Sequence, residues 1–536
     1  MEDDAMVAKT IWLLLLCFSC KVVMAFEGFD DSQWPNHGGG ILNRREAHHE
    51  TKINPKVVAK LTTRWRFYTG DSVTATPAVW NGVVYFPSYN GNLYAICAKT
   101  GDVIWQKNLT QITKSPVAIL SRTTPVVTKD LLLVAIFGPA LVIAVDPKMG
   151  DLVWSTLLDP HPLAVITTSG TAYKSSFFVG VSSLEEELGI NSVDCCYFQG
   201  SFLRIDLMTG DIKWKILMLP FNHGSKKLYA GAAVWGSSPS IDIHRNLVFI
   251  GTGNLYRTPD NVTECEQNRL KEKHPIVPDP CVEADDHSES IVALDLENGT
   301  IQWSHKLGGY DTWNLYCLKP QNSNCPPIPG TDADFGEAPA LHTIWDYNVH
   351  PHSRHDLAIV GQKNGFIWAL DRDDGHIVWA TVAGPGGAAG GANFGLAIDS
   401  QRVYTNIANV NQKNFTLLPS SQVVIGGGWV AMDIYNGTIL WSTAAPNGSF
   451  AYGPVTIANG VMFAAALGTP LGTLLALEAT TGKVLWQYKV NSTLAGGVSV
   501  VKGCVYMGEG ITLDVERAIE SVEGSLVDAF CLPSQE

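Results

Sequence analysis

The residues of this chain best suited to chemistry are two adjacent cysteines and three groups of acids. Cys195 and Cys196 stand in "SVDCCYFQGSF". Neighbouring cysteines can close a small disulfide ring only around a strained peptide, and strain of that kind gathers at functional sites. They can equally stay reduced or pair elsewhere. The acids are Glu185, Glu186 and Glu187 in "VGVSSLEEELG", Asp311 in "GGYDTWNLY", and Asp332 and Asp334 in "GTDADFGEAPAL". Carboxylates can take a proton from a substrate hydroxyl or bind a hard cation. His350, His352 and His355 have metal-ligand types, but "VHPHSRHD" reads as a polar surface loop between strands. The glycine-rich "AGPGGAAGGAN" lacks the setting of a nucleotide loop. No Cys-x-x-Cys-His is present to hold a covalent haem.

The elements that must position these residues come from a repeat. Gly-x-x-x-Trp occurs seven times, ending at Trp105, Trp154, Trp214, Trp303, Trp379, Trp441 and Trp486. Four residues before each glycine stand Cys97, Asp146, Asp206, Asp295, Asp371, Asp433 and Glu478, each after an apolar run. Each unit reads as strand, tight turn, and a strand bearing Trp. Repeats of about 45–60 residues indicate stacked supersecondary units, and four-stranded propeller blades have that length. The last repeat, "GSLVDAFCL", has no Trp strand after it; "LTTRWRF", with Trp65, supplies one from the other end. The expected fold is therefore an all-β, eight-bladed propeller, its last blade closed by N- and C-terminal strands.

Composition agrees with that reading. The 536 residues include 50 glycines, as a turn-rich β fold requires. A net charge of -14 argues against a nucleic-acid partner, which would call for a basic patch.

Residues 1–25 read as a signal peptide, with "IWLLLLCFSC" after Lys9 and small-residue cleavage at Ala25. The propeller then occupies residues 26–536, with no membrane span after signal removal and a secreted destination. Sequons at Asn108, Asn261, Asn298, Asn414, Asn436, Asn447 and Asn491 suit a secreted glycoprotein. Proximity pairs Cys265 with Cys281, Cys317 with Cys325, and Cys504 with Cys531. The first two would staple inserts inside blades, and Cys97 would be left over as a small buried thiol.

The repeats, the split eighth blade and the adjacent cysteines resemble the quinoprotein alcohol dehydrogenases, and most closely their polyvinyl-alcohol dehydrogenase-like branch. The resemblance runs from "QWPNHGGGILNRRE" to the C-terminus. It implies pyrroloquinoline quinone and calcium on the axis, and oxidation of an alcohol with electrons passed to an external acceptor. It also implies that Cys195 and Cys196 pack on one face of the quinone. Trp235 would stack on the other, unless it is simply core. The resemblance matches Glu185 and Asn254 to calcium ligands, although Glu185 also reads as a solvated loop acid. Asp334 becomes the base and a metal contact. Asn314 and Asp311 compete for the base position, and an Asn there could not take a hydroxyl proton. Lys363 would balance charge on the reduced quinone, or else serve only as a turn residue in "KNG". Asn393 is a further quinone contact. Related propellers lack the cofactor, so a cofactor-free extracellular binding protein is the alternative function.

Overall fold

The computed structural model describes residues 33–188, 195–271, 279–318, 324–346, 353–468, 471–511 and 522–533. The expected signal peptide lies outside them. The described chain forms eight antiparallel blades. Blade 1 runs Ala78–Trp80, Val83–Pro87, Asn92–Cys97 and Val103–Asn108, from the axis outwards. Blade 8 is the split one: Thr62–Tyr68 pairs with Leu526–Cys531 on its outer side. The innermost strands of blades 1 and 2 touch, as do those of blades 4 to 8 in turn, and that of blade 8 meets that of blade 1.

The repeat has a specific packing role. The Trp65 indole N–H donates to Ala98 O in the next blade, Trp105 to Pro147 O, Trp154 to Leu207 O and Trp379 to Ile434 O. The same rings lie against the next blade's turn glycine. A Cβ on Gly375 would fall 2.6 Å from the Trp303 ring, and this glycine sits at φ +76°. Glycine is thus required twice over, for space and for a left-handed backbone. Asp146 supports its turn by accepting from the Lys148 and Met149 amides, as Asp206 does from Met208 and Thr209. Inner strands are buried on both faces, whereas Trp strands such as Leu152–Leu157 expose alternate residues.

A second device closes the ring. The segment from Trp34 to Ala47 runs inside the innermost strands and bonds to blades 1, 2, 4, 5, 6 and 7 through Val79, Val127, Ile241, Leu341, Ile398 and Ile457. Arg45, fully buried, donates to Val455 O and Thr456 Oγ1 and reaches Val498 O of blade 8. In an antiparallel meander, second-to-third strand connections and blade-to-blade connections share one face. The Gly-x-x-x-Trp turns lie on the other. Loops on the first face are therefore free of the ring-packing duty.

The expected disulfides Cys265–Cys281, Cys317–Cys325 and Cys504–Cys531 are present. Three points differ from expectation. Cys317–Cys325 staples a connection between blades 4 and 5, not an insert inside a blade. Cys97 is itself disulfide-bonded and not a leftover thiol. His355 lies in the strand Ser353–Gly361, while His350 and His352 fall outside the described residues.

Two outcomes are expected. Gly375→Ala should cost about 2–4 kcal/mol in urea unfolding, from backbone strain plus overpacking. Gly40→Ala, where nothing lies within 4 Å, is the control. Second, burial and the neighbouring Glu509 push Asp528 of the closing blade up to about 7. A raised folded-state carboxyl favours folding fully only below its unfolded pKa, so stability falls as pH rises from about 4 to about 7. Asp528→Asn should flatten that slope in thermal melts.

Candidate functional site

Every candidate residue falls on the face free of the packing turns. Blade 3 supplies Glu185, Glu186, Cys195 and Cys196 between Ser176–Ser183 and Ser201–Asp206. Blade 4 supplies Asn254 after Leu247–Gly251, and blade 5 supplies Lys363 after Ser353–Gly361. The blade-to-blade connections carry Trp235, then Asp311, Asn314, Asp332 and Asp334, then Asn393.

Asp334 is where these loops meet. Its Oδ1 accepts from the Asn254 amide at 2.6 Å; its Oδ2 accepts from Trp235 Nε1 at 2.9 Å and Lys363 Nζ at 3.0 Å. Glycines make the approach possible. A Cβ on Gly253 would stand 3.0 Å from Asp334 Oδ1 and 3.3 Å from Trp235 Nε1. A Cβ on Gly336 would stand 2.7 Å from the Trp235 ring and run into Asn393. The Lys363 ammonium also bonds Asp332 Oδ1 at 2.9 Å and lies 5.0 Å from the Trp235 ring centroid. Lys363 is thus a turn residue by backbone and an ion-pair partner by side chain.

The rival base positions have other work. Asn314 donates to Tyr256 O and Asn324 O, which anchors the stapled insert. Asp311 accepts from the amides of Ala333 and Asp332, supporting a turn in which Asp332 sits at φ 57°. Neither reaches Lys363 or Trp235 by a hydrogen bond. Asn393, buried, donates to Gly390 O.

Burial governs the charges. It raises Asp332 to about 8 even though Lys363 opposes it. Buried Glu289 is raised well above the carboxylate range by burial, then by Asp334 and Asp311. Burial works against the Lys363 charge, but Asp332, Asp334 and then Glu186 outweigh it and lift it well above its ordinary value. Glu289 carried no signal in the sequence, since "HSESI" matches no motif and its role arises only where blades 4 and 5 meet. His161, which lies 3.5 Å from Glu185, was also missed.

A hard cation and a flat quinone acid fit this site. Both amide hydrogens of Asn254 are spent, on Leu255 O and Trp313 O, so Oδ1 is its atom left to ligate. Carboxylate oxygens outnumber cations around it, as such a metal requires. Cys195 and Cys196, joined as a disulfide, share one apolar cluster with Tyr256 and Tyr316, and half-buried Trp235 packs against it. Apolar walls with a few directed polar groups suit a planar ligand.

Comparison with known proteins agrees with the fold. The PQQ_2 family model, described as outer membrane protein assembly factor BamB, matches residues 59–305, 252–381 and 419–524. The polyvinylalcohol dehydrogenase of a Pseudomonas species is 28% identical over 520 residues, covering 89% of this chain and 73% of its own length. That of Sphingopyxis strain 113P3 is 27% identical over 519 residues, covering 88% and 72%. Among solved structures, quinohemoprotein alcohol dehydrogenase from Comamonas testosteroni has a TM-score of 0.68 at 18% identity, with 96% of this chain and 82% of that one covered. A europium-containing methanol dehydrogenase also scores 0.68, at 17% identity over 94% and 98%. The chain belongs to the PQQ_2 family, and over most of its length it is similar to the polyvinylalcohol dehydrogenases.

Proposed function

We propose that this chain is an exported oxidoreductase that oxidises an alcohol, with pyrroloquinoline quinone and calcium held on the propeller axis. The observation that carries this reading is the meeting of Trp235, Asn254 and Lys363, from three separate loops, on the carboxylate of a fourth-loop residue, Asp334. The relatives named as alcohol dehydrogenases support it.

Asn254 Oδ1 and an acid of the Glu185–Glu186 pair would hold the metal, with the Asp334 carboxylate beside it. Trp235 and the Cys195–Cys196 disulfide would flank the quinone, with Asn393 beside it. When bound, the pair supplies a two-electron acceptor and a Lewis acid. Asp334 takes the hydroxyl proton. Its Oδ2 already accepts from Trp235 and Lys363, whereas Oδ1 accepts only from Asn254 N. The open lone pair, and so the proton's destination, is on Oδ1. Lys363, tied down by Asp332, puts a fixed positive charge at the site where negative charge would gather.

Residues 1–25 would direct export and residues 26–536 form the propeller. Among the described residues no helix is long and apolar enough to cross a membrane. Asn261, Asn298, Asn414, Asn436, Asn447 and Asn491 are exposed and open to glycans. Electrons would pass to an external acceptor.

The test is secretory expression followed by titration with pyrroloquinoline quinone and calcium, then dye-linked oxidation of alcohols including polyvinyl alcohol. Stoichiometric quinone binding with dye reduction is expected; folded protein that binds no quinone would defeat the reading. Asp334→Asn should lower kcat by about 10²–10⁴ while quinone still binds. Lys363→Met should cost about 3–5 kcal/mol of stability in urea, because it leaves Asp332 and Asp334 buried without their partner.

A further inference from the structure

The loop that carries Asn254 continues as the short strand Leu255–Arg257, which pairs with Ala230–Gly231 of the connection between blades 3 and 4. An extended residue advances about 3.3 Å, so Arg257 stands up to roughly 10 Å beyond Asn254, towards the rim of the loop face. Its half-buried guanidinium turns back over the adjacent cysteines, and Nη1 donates to Cys195 O at 3.3 Å. Lys226, from the same connection as Ala230, has its Nζ 5.9 Å from the ring of Tyr197, the residue after Cys196. Two positive charges therefore border the disulfide wall of the site.

The charge of Arg257 is unanswered. A guanidinium carries five N–H donors, and Cys195 O takes one of them. The Nε donor is buried and meets no acceptor, an omission that is costly to leave in place. Among the described residues no carboxylate pairs with Arg257, although the chain has a net charge of -14. Other half-buried arginines differ. Arg245 holds Asp242, Asp356 and Asp373, and Arg269 holds Glu266 and Asp279. The terminal nitrogens of Arg257 keep hydrogens enough for both oxygens of a carboxylate.

We infer that Arg257 is a specificity-determining residue that binds a carboxylate, or another anionic group, carried by the alcohol substrate. The inference rests on the proposed oxidation for the reaction, and on the surroundings of Arg257 for the charge. The axis itself cannot take such a group, because buried Asp311, Asp332, Asp334 and Glu289 already crowd it with acid. The Asn254 amide bonds Asp334 Oδ1, so the distance from Asn254 to Arg257 also separates the base from the cation. A hydroxyl at Asp334 and an anion at Arg257 thus stand several atoms apart. That spacing suits a sugar acid or a longer hydroxy acid better than one with both groups on neighbouring carbons.

The test uses the full-length protein with Arg257→Met and Arg257→Lys. Substrates come in pairs of equal length and different charge: γ-hydroxybutyrate with butanediol, and gluconate with sorbitol. In the quinone-loaded protein, the ratio of kcat/KM for each acid to that for its neutral partner should fall by about tenfold to a hundredfold in Arg257→Met, the worth of one charge-assisted contact. The change should lie in KM, since the contact is the same before and during reaction. Salt should weaken the parent's preference for the acid and leave that of Arg257→Met flat. Arg257→Lys keeps the charge without the fork and should give an intermediate ratio. A merely structural arginine would move both members of a pair alike. A second measurement needs no turnover: gluconate titrated into the apoprotein, followed in the NMR spectrum of gluconate, should bind at least about tenfold more weakly to Arg257→Met. If Arg257→Met does not fold, Arg257→Lys and the salt dependence of the parent decide. Unchanged ratios together with unchanged gluconate binding overturn the inference. So does weaker uptake of pyrroloquinoline quinone by Arg257→Met with the ratios unchanged, because the cation then serves the carboxylates of the quinone. A protein that binds gluconate through Arg257 and takes up no quinone defeats the proposed oxidation and leaves the anion site standing.

Discussion

The contact on which this molecule depends is a tryptophan edge seated on the next blade's glycine. Trp303 shows its terms: the indole N–H reaches Arg372 O while the ring covers Gly375, whose missing side chain leaves room for it. Each such contact joins a donor to an acceptor that is otherwise shielded, and it buries a large ring without further backbone ordering. The contact is made from one blade to the next, so no blade is complete alone. The last link differs. Trp486 rests edge-on against Phe530, because the split blade has no turn glycine in register. The paired ends Thr62–Tyr68 and Leu526–Cys531, with Cys504–Cys531, replace the missing wedge.

That division of labour frees the opposite face. Turns that lock the ring must keep their sequence, whereas the connections on the other side can lengthen. They do so most in blade 4 and between blades 4 and 5. The side chains that meet at Asp334 come from these connections, and each alone is an ordinary loop residue. Their convergence is a consequence of ring closure, since the axis is the one place that every blade reaches. The segment around Arg45 serves the same closure from inside, bonding the innermost strands of blades 1, 2 and 4 to 8.

What the sequence showed follows from this. The blade number and the split blade were legible because each depends on spacing repeated along the chain, and three disulfides because their cysteines lie near one another in sequence. Site residues were legible only through resemblance, and their neighbours were not. Nothing near Asp311 says that its carboxylate caps the turn carrying Asp332, because the two are separated by a stapled insert. Nothing in "LEEELG" says which glutamate turns to hold the segment after the cysteines; that is decided by amides ten or more residues later. Cys317–Cys325 was expected inside a blade because spacing reports closeness in sequence and is silent about which side of a blade boundary a loop occupies.

The charges on the axis complete the argument. Asp311, Asp332, Asp334 and Glu289 act on one another around Lys363, in a region largely shut off from water. Like charges so placed resist ionising together, and burial, with the neighbouring acids, shifts Asp332 and Glu289 towards their protonated forms. Protons are one way to neutralise the cluster; a divalent cation is another. A cation entering here would displace protons, so its affinity and the ionisation of the cluster are linked. Lys363 stands at the centre of that competition. It pairs Asp332 and Asp334 but cannot satisfy every acid, and the remaining negative charge is what an axial cation would answer.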